Sequence, residues 1–377
     1  GTSEGYVFFR ISPDDYIYWN FYQIAMADNG GNSVPILDYT TETVPLWSAV
    51  PLGGGGYVTG IVSDPTGDTI YCRTDVGGAF RWAPFGDVDG NGVWVSISDA
   101  MVPYGTDGSS ALMCVESIAV DPSTPGWLFM AVGNSSISST ARGIYISEDF
   151  GATWSLVDGS NTFVIQGNGS TRAHGERLAV DPNDPDIIWY GSTTSGLRKF
   201  VKSGSTWTAT QISSGDVPYG TTNTGVSFVV CDPNGGSTIL YAGVADPSVG
   251  GVYRSTDGGA TWSKVGGDTL SSPRRAQVAS NGTLYVTGGS DGLGKILRGG
   301  TLSLIGSLPT TTGYPTRSVS YHGVAVDPND ATGNTVYVAE VYKGTGIVLR
   351  STDGGVSWAN QSSISQTREE PDGTESL

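Results

Sequence analysis

The chain has 377 residues, 38% hydrophobic and 15% charged, which is enough apolar content to bury a large core and too much for a disordered segment. A formal net charge of −17 excludes nucleic acid and anionic membranes as natural partners, since both need clustered Lys and Arg. With 56 glycines, 19 prolines and no sustained helical periodicity, the chain reads as all-β, built from short strands and tight turns.

Residues 1–45 open the chain with two aromatic-rich strands, 6–11 and 16–24. They form an N-terminal β segment, either a small module or strands completing the main domain. From about residue 46 to 360 an apolar strand ending in Asp-Pro recurs, at 60–65, 117–122, 178–182, 228–233 and 323–328, with a degenerate copy at 276–282. Its Asp, or the equivalent Ser280, falls at 64, 121, 181, 232, 280 and 327, a spacing of about 50 residues that suits one four-stranded propeller blade. Six units are visible, and a seven-bladed ring is expected, with the seventh unit split or eroded. Residues 361–377 form a polar tail or a linker toward a further region.

Within a unit the order is strand, Asp-Pro turn, strand, variable loop, strand, hairpin and last strand. Three hairpins share the pattern S-x-D-x-G-x-[T/S]-W, at 147–154, 255–262 and 351–358. Antiparallel strands reverse at every turn, so the Asp-Pro turns and these hairpins share one face, and the variable loops and inter-unit links share the other. The hairpin carboxylates Asp149, Asp257 and Asp353 are thereby assigned to turn structure. The opposite face gathers Asp75, Asp246, Asp291, Glu340 and Tyr342, with Tyr104, His174, Glu176, Arg177, Tyr321 and His322 from the links. Carboxylates beside aromatic rings suit sugars, because rings stack on pyranose faces while carboxylates bind hydroxyls or move protons.

Each of these residues also has a plain structural explanation. Asp75 alone would read as a turn Asp. Its glycine-flanked setting and the loop parity favour a functional carboxylate. Glu176 and Arg177 form a natural ion pair between blades. The two histidines and three scattered cysteines, without a C-x-x-C, predict no metal and no cofactor, and Cys72, Cys114 and Cys231 read as small buried hydrophobes.

The strings at 53–62 and 70–82, the latter containing T-D-V-G-G-A-F-R-W, resemble the opening of glycoside hydrolase family 74. The pair at 175–182 and 191–198 extends that similarity, which covers about residues 46–360. The resemblance implies a xyloglucan-specific endo-β-1,4-glucanase that inverts the anomeric centre, using two seven-bladed propellers and one Asp from each. It places Asp75 as general base. Gly77 and Gly78 beside it let a flat glycan approach the backbone, and Tyr104, Tyr321 and Tyr342 on the variable face are candidate sugar platforms. The partner carboxylate is expected on a second propeller beyond residue 377, or locally at Glu340 or Glu176, since an inverting pair stands about 6.5–9.5 Å apart.

The partner implied is a β-glucan or other glycan. Location is expected to be secreted or extracellular, or on a virion or cell surface; no signal peptide is visible. Segment 1–45 is also similar to edge-strand pieces of discoidin-like modules in phage and surface proteins. That opens an alternative, a non-catalytic glycan- or protein-binding propeller. A third reading, a sialidase-like hydrolase, needs three arginines from different blades to clamp a carboxylate. Arg10 precedes the first unit, and the net charge disfavours anionic sugars.

Overall fold

The computed structural model describes residues 4–6, 25–27, 56–64, 67, 69–83, 93–101, 112–134, 142–159, 163–172, 174–220, 225–288, 291–306, 308, 320–342, 345–365, 368–369 and 375–376. Six four-stranded antiparallel sheets follow one another along the chain, each laid down strand by strand from the inner edge outward. The six inner strands, in blade order, are Val58–Ser63, Val115–Val120, Leu178–Asp181, Gly225–Asp232, Arg275–Val278 and Ser320–Val326. This is the propeller read from the repeat, with six blades among the described residues where a ring of seven is expected. The two aromatic strands expected at 6–11 and 16–24 lie largely outside the described residues. What is described there is a short antiparallel pair, Glu4–Tyr6 with Ala25–Ala27, the latter alongside the inner strand of blade 1. The last strand of blade 6 runs Ala359–Ser365, so a domain boundary at 360 falls inside a strand.

Apolar side chains decide how the blades stack. The second strands Leu128–Val132 and Ile239–Ala245 are buried at every position, because each is covered by neighbouring blades on both faces. The outer strand Thr206–Gln211 is largely exposed. Five core clusters each join two consecutive blades. Between blades 2 and 3, for instance, Phe129, Ile144 and Ile146 meet Ile188, Tyr190 and Phe200. Among the described residues no comparable cluster joins blade 6 to blade 1.

The three Trp-ended hairpins close alike. In the second, Asp257 Oδ1 accepts from Ser255 Oγ at 2.8 Å and from Thr261 N at 2.9 Å, while Oδ2 accepts from Thr261 Oγ1 at 2.6 Å. These bonds, led by Thr261, pull the Asp257 carboxyl down to about 2. Each hairpin is also fastened to the preceding blade. Lys199 Nζ donates to Gly258 O at 3.1 Å, Lys295 Nζ to Gly354 O at 3.0 Å, and Trp154 Nε1 to Ile97 O at 2.7 Å.

The inner strands surround an axial cavity of about 370 Å³ that runs from Gly175 and Glu176 toward Pro122 and Pro182. At its variable-face end one register position repeats, five residues before the Asp-Pro aspartate. It is occupied by Thr59, Glu116, Glu176, Ser227, Arg275 and His322 in blades 1 to 6. In blades 1, 2, 4 and 6 this residue is the extra member of a β-bulge, unpaired in the ladder.

Candidate functional site

Strand Ile70–Thr74, the second of blade 1, delivers Asp75 to the variable face. Thr74 closes the turn that follows, its hydroxyl donating to Gly78 O and accepting from Gly77 N, both at 2.8 Å. Asp75 is only 3% exposed. Its Oδ1 accepts from Tyr57 N at 2.7 Å, and its Oδ2 lies 3.2 Å from the Arg172 guanidinium. Arg172 also covers the Tyr57 ring at 4.7 Å and donates to Asn168 Oδ1 at 3.1 Å. Gly56, at φ +87°, lets the backbone close over the carboxylate, since a Cβ there would stand 2.8 Å from Asp75 Oδ1. Val76 beside it is exposed.

Gly78 has a structural cause beside the glycan contact expected of it. Gly78 is buried at φ +85°, and a Cβ would run into Ser98 Oγ, so packing and backbone conformation demand glycine there. Gly77 is partly exposed and remains beside the turn surface.

Glu176 is committed to its neighbours. It accepts from Arg73 Nε at 2.8 Å, Ser117 Oγ at 2.6 Å and Ile118 N at 2.8 Å, tying blade 3 to blades 1 and 2. The ion pair expected within Glu176-Arg177 is thus exchanged between blades. Glu176 pairs with Arg73, and Arg177 pairs with Glu116, which also accepts from the Tyr190 hydroxyl. Burial first, then Glu116, pushes the Tyr190 phenol well above its ordinary range. Arg275 completes the network by donating to Thr59 O at 2.8 Å, from blade 5 to blade 1.

The histidines belong to the same network. His322 lies 3.2 Å from Arg274 through Nε2, and burial followed by Arg274 and Arg275 drives it down to about 3. His174 is held well below its ordinary value by burial and by Arg177, whose guanidinium stands 3.3 Å from Nδ1. Both rings are neutral near pH 7. Cys72 and Cys114 are buried and Cys231 is partly so; burial raises all three thiols.

Tyr321, expected as a sugar platform, is packed instead into the core between blades 5 and 6, with Leu293, Val324 and Leu349. It pairs in register with Glu340 on strand Val336–Tyr342. The side chains of Glu340 and Tyr342 and the whole of Tyr104 lie outside the described residues. Sequence reasoning did not find Arg172, a single arginine in a polar link with no motif around it. Nor did it find Tyr57, which contributes its backbone N–H and its ring. Among the described residues, no group of three or more His, Cys, Asp or Glu side chains could hold a metal, and no helix is long and apolar enough to cross a membrane.

Comparison with known proteins agrees with the propeller fold. The profile described as BNR/Asp-box repeat matches residues 253–264, the second hairpin. A xyloglucanase from Paenibacillus sp is 32% identical over 366 residues, covering 89% of this chain and 34% of the relative. The solved GH74 enzyme from Niastella koreensis superposes with a TM-score of 0.69 at 33% identity, over 82% of this chain and 46% of that one. The chain is a relative of glycoside hydrolase family 74. The GH74 xyloglucanase of Xanthomonas campestris gives 0.65 at 29% identity, over 84% and 46% of the two chains. The chain therefore spans between about a third and just under half the length of these family 74 proteins. Its propeller resembles the corresponding part of these xyloglucanases.

Proposed function

We propose that this chain is the Asp75-bearing part of an inverting β-1,4-glucanase that cleaves xyloglucan outside the cell. The observation that carries this reading is the fixing of Asp75 at a strand end on the variable face, between Tyr57 N and Arg172, inside the string similar to family 74. Asp75 acts as general base on the water that attacks the anomeric carbon. A second carboxylate, the general acid, comes from a second propeller, and Glu340 is the local alternative. The bonds made by Glu176 support a structural post for that residue. The pair Glu4–Tyr6 and Ala25–Ala27, beside the inner strand of blade 1, supports a ring completed to seven blades by the N-terminal segment.

One observation favours a second reading. Asp75 is almost wholly buried and its Oδ2 is covered by Arg172, a suitable state for a non-catalytic propeller that holds a glycan or protein on the same face. Release of reducing ends from xyloglucan, measured for the chain alone and in its full-length form, separates the two. Turnover that disappears in Asp75→Asn supports hydrolysis. Xyloglucan binding without turnover in either form supports the binding module, and turnover unaffected by Asp75→Asn removes Asp75 from the chemistry.

A further inference from the structure

Arg172 reaches Asp75 from a link whose backbone is tied down at both ends. Gly167 N donates to Gly133 O at 2.9 Å on the blade 2 side, and Thr171 O accepts from Arg177 Nη2 at 2.8 Å, inside the buried network. Between these ties Arg172 N donates to Gly169 O at 3.1 Å. The turn so formed brings the side chain of Asn168 alongside that of Arg172.

Three contacts then fix the guanidinium. Its Nη1 donates to Asn168 Oδ1 at 3.1 Å and lies 3.2 Å from Asp75 Oδ2, while its Cζ stands over the Tyr57 ring, 4.7 Å from the centroid. One nitrogen thus divides its two hydrogens between Asn168 and Asp75, and the ring beneath restricts how the planar group can turn. Tyr57 acts twice, since its backbone N–H also holds Asp75 Oδ1 at 2.7 Å. Asn168 and Tyr57 are both partly exposed. The Arg172 side chain is one-third exposed, and so long a side chain has many rotamers open to it unless such neighbours hold it.

From this bracket we infer that Asn168 and the Tyr57 ring are positioning residues for the reaction at Asp75, acting through Arg172. The inference rests on the hydrolytic reading above. A carboxylate has about four lone-pair sites. Tyr57 N and Arg172 take one on each oxygen, and the plane of the carboxylate sets the direction of those that remain. With both oxygens held the plane cannot turn, so the lone pair that receives the proton of the attacking water keeps its aim. A reacting group must be held within about 10–20° of its productive direction, so loosening Arg172 slows the chemical step and leaves glycan affinity unchanged. A purely structural role gives the opposite pattern, lower stability with kcat intact.

Steady-state kinetics on xyloglucan test this, with the form of the protein that turns the glycan over. Asn168→Ala removes the acceptor, and Tyr57→Leu removes the ring while keeping the backbone N–H. Each should lower kcat by about threefold to tenfold, the scale of one partly exposed cation–π contact or hydrogen bond to a charged group, with KM within about twofold. Tyr57→Phe, which keeps the ring, should recover most of the loss. In an Arg172→Met background neither substitution should cost anything further, because the residue through which both act is gone. Wild-type kcat in both single variants overturns the bracket and leaves the hydrolytic reading standing. A full additional loss in the Arg172→Met background does the same, since the two residues then act on Asp75 by another route. Equal losses in Tyr57→Phe and Tyr57→Leu overturn the role of the ring. No turnover by the unsubstituted protein, alone or in its full-length form, overturns the hydrolytic reading and this inference together.

Discussion

Replacing Glu176 with Ala tests whether that carboxylate is a structural post. The substitution removes the acceptor for Arg73 Nε, Ser117 Oγ and Ile118 N at once. Arg73, whose side chain is 2% exposed, keeps only Thr59 Oγ1 at 2.8 Å and His174 O at 3.4 Å, neither of them charged. Leaving such a guanidinium buried without its partner costs about 3–5 kcal/mol. That is a fifth or more of the roughly 5–15 kcal/mol that holds a typical domain folded. Urea denaturation followed by tryptophan fluorescence should show the midpoint falling with the slope unchanged. The double variant Arg73→Met with Glu176→Met should recover the part of the loss that comes from the unpaired guanidinium, since an apolar pair of similar volume replaces a buried ion pair at little cost, while Ser117 Oγ and Ile118 N stay without this acceptor. A loss below about 1 kcal/mol in Glu176→Ala would refute the buried-network account, being no more than an exposed ion pair is worth. Full stability with abolished hydrolysis would move Glu176 into the chemistry.

Arg172→Met should lower turnover on xyloglucan by about 10-fold or more, because Asp75 Oδ2 loses a charge-assisted partner of a kind worth about 1.5–3 kcal/mol; steady-state kinetics with unchanged thermal stability would confirm a local effect. The folded state holds His322 at about 3, below its ordinary value of 6.5, so its unfolded form binds the proton first. Neutral His322 therefore costs nothing above about pH 6.5, and stability falls as pH drops from there toward 3, by at most about 1.4 kcal/mol per pH unit. His322→Gln should flatten that decline in urea midpoints measured from pH 7 to 4, and parallel curves would remove His322 as the cause. Gly78→Ala should cost upward of about 2 kcal/mol, from the positive φ and the collision with Ser98 together, read as a lowered melting temperature.

The sequence carried most of the architecture because a propeller repeats its instructions. Each Asp-Pro strand and each Trp-ended hairpin is a local signal with its own turn chemistry, and alternation of direction converts those signals into faces without any long-range information. Asp75 was legible for the same reason, at the end of a strand whose place in the unit was known. Arg172 was not legible, since what gives it meaning is the distance to Asp75, across a link with no repeat. Tyr321 misled for a related reason. A tyrosine near a strand start belongs to either the mouth or the core, and only packing against Leu293 and Leu349 decides. The exchange of partners between Glu176-Arg177 and Arg73 and Glu116 likewise depends on which blades become neighbours.

The repeated register position at the head of each inner strand has an evolutionary consequence. Where it is a bulge residue it contributes nothing to the hydrogen-bond ladder, so its side chain can change without loosening the blade that carries it. One mutation per blade can then rewrite the charge along the axis, as Thr59, Glu116, Ser227 and His322 illustrate within a single chain. These positions are nevertheless coupled across blades: Glu116 and Glu176 hold Arg177 and Arg73, so a change of charge there acts on the seams between blades and not on the ladder of the blade that carries it.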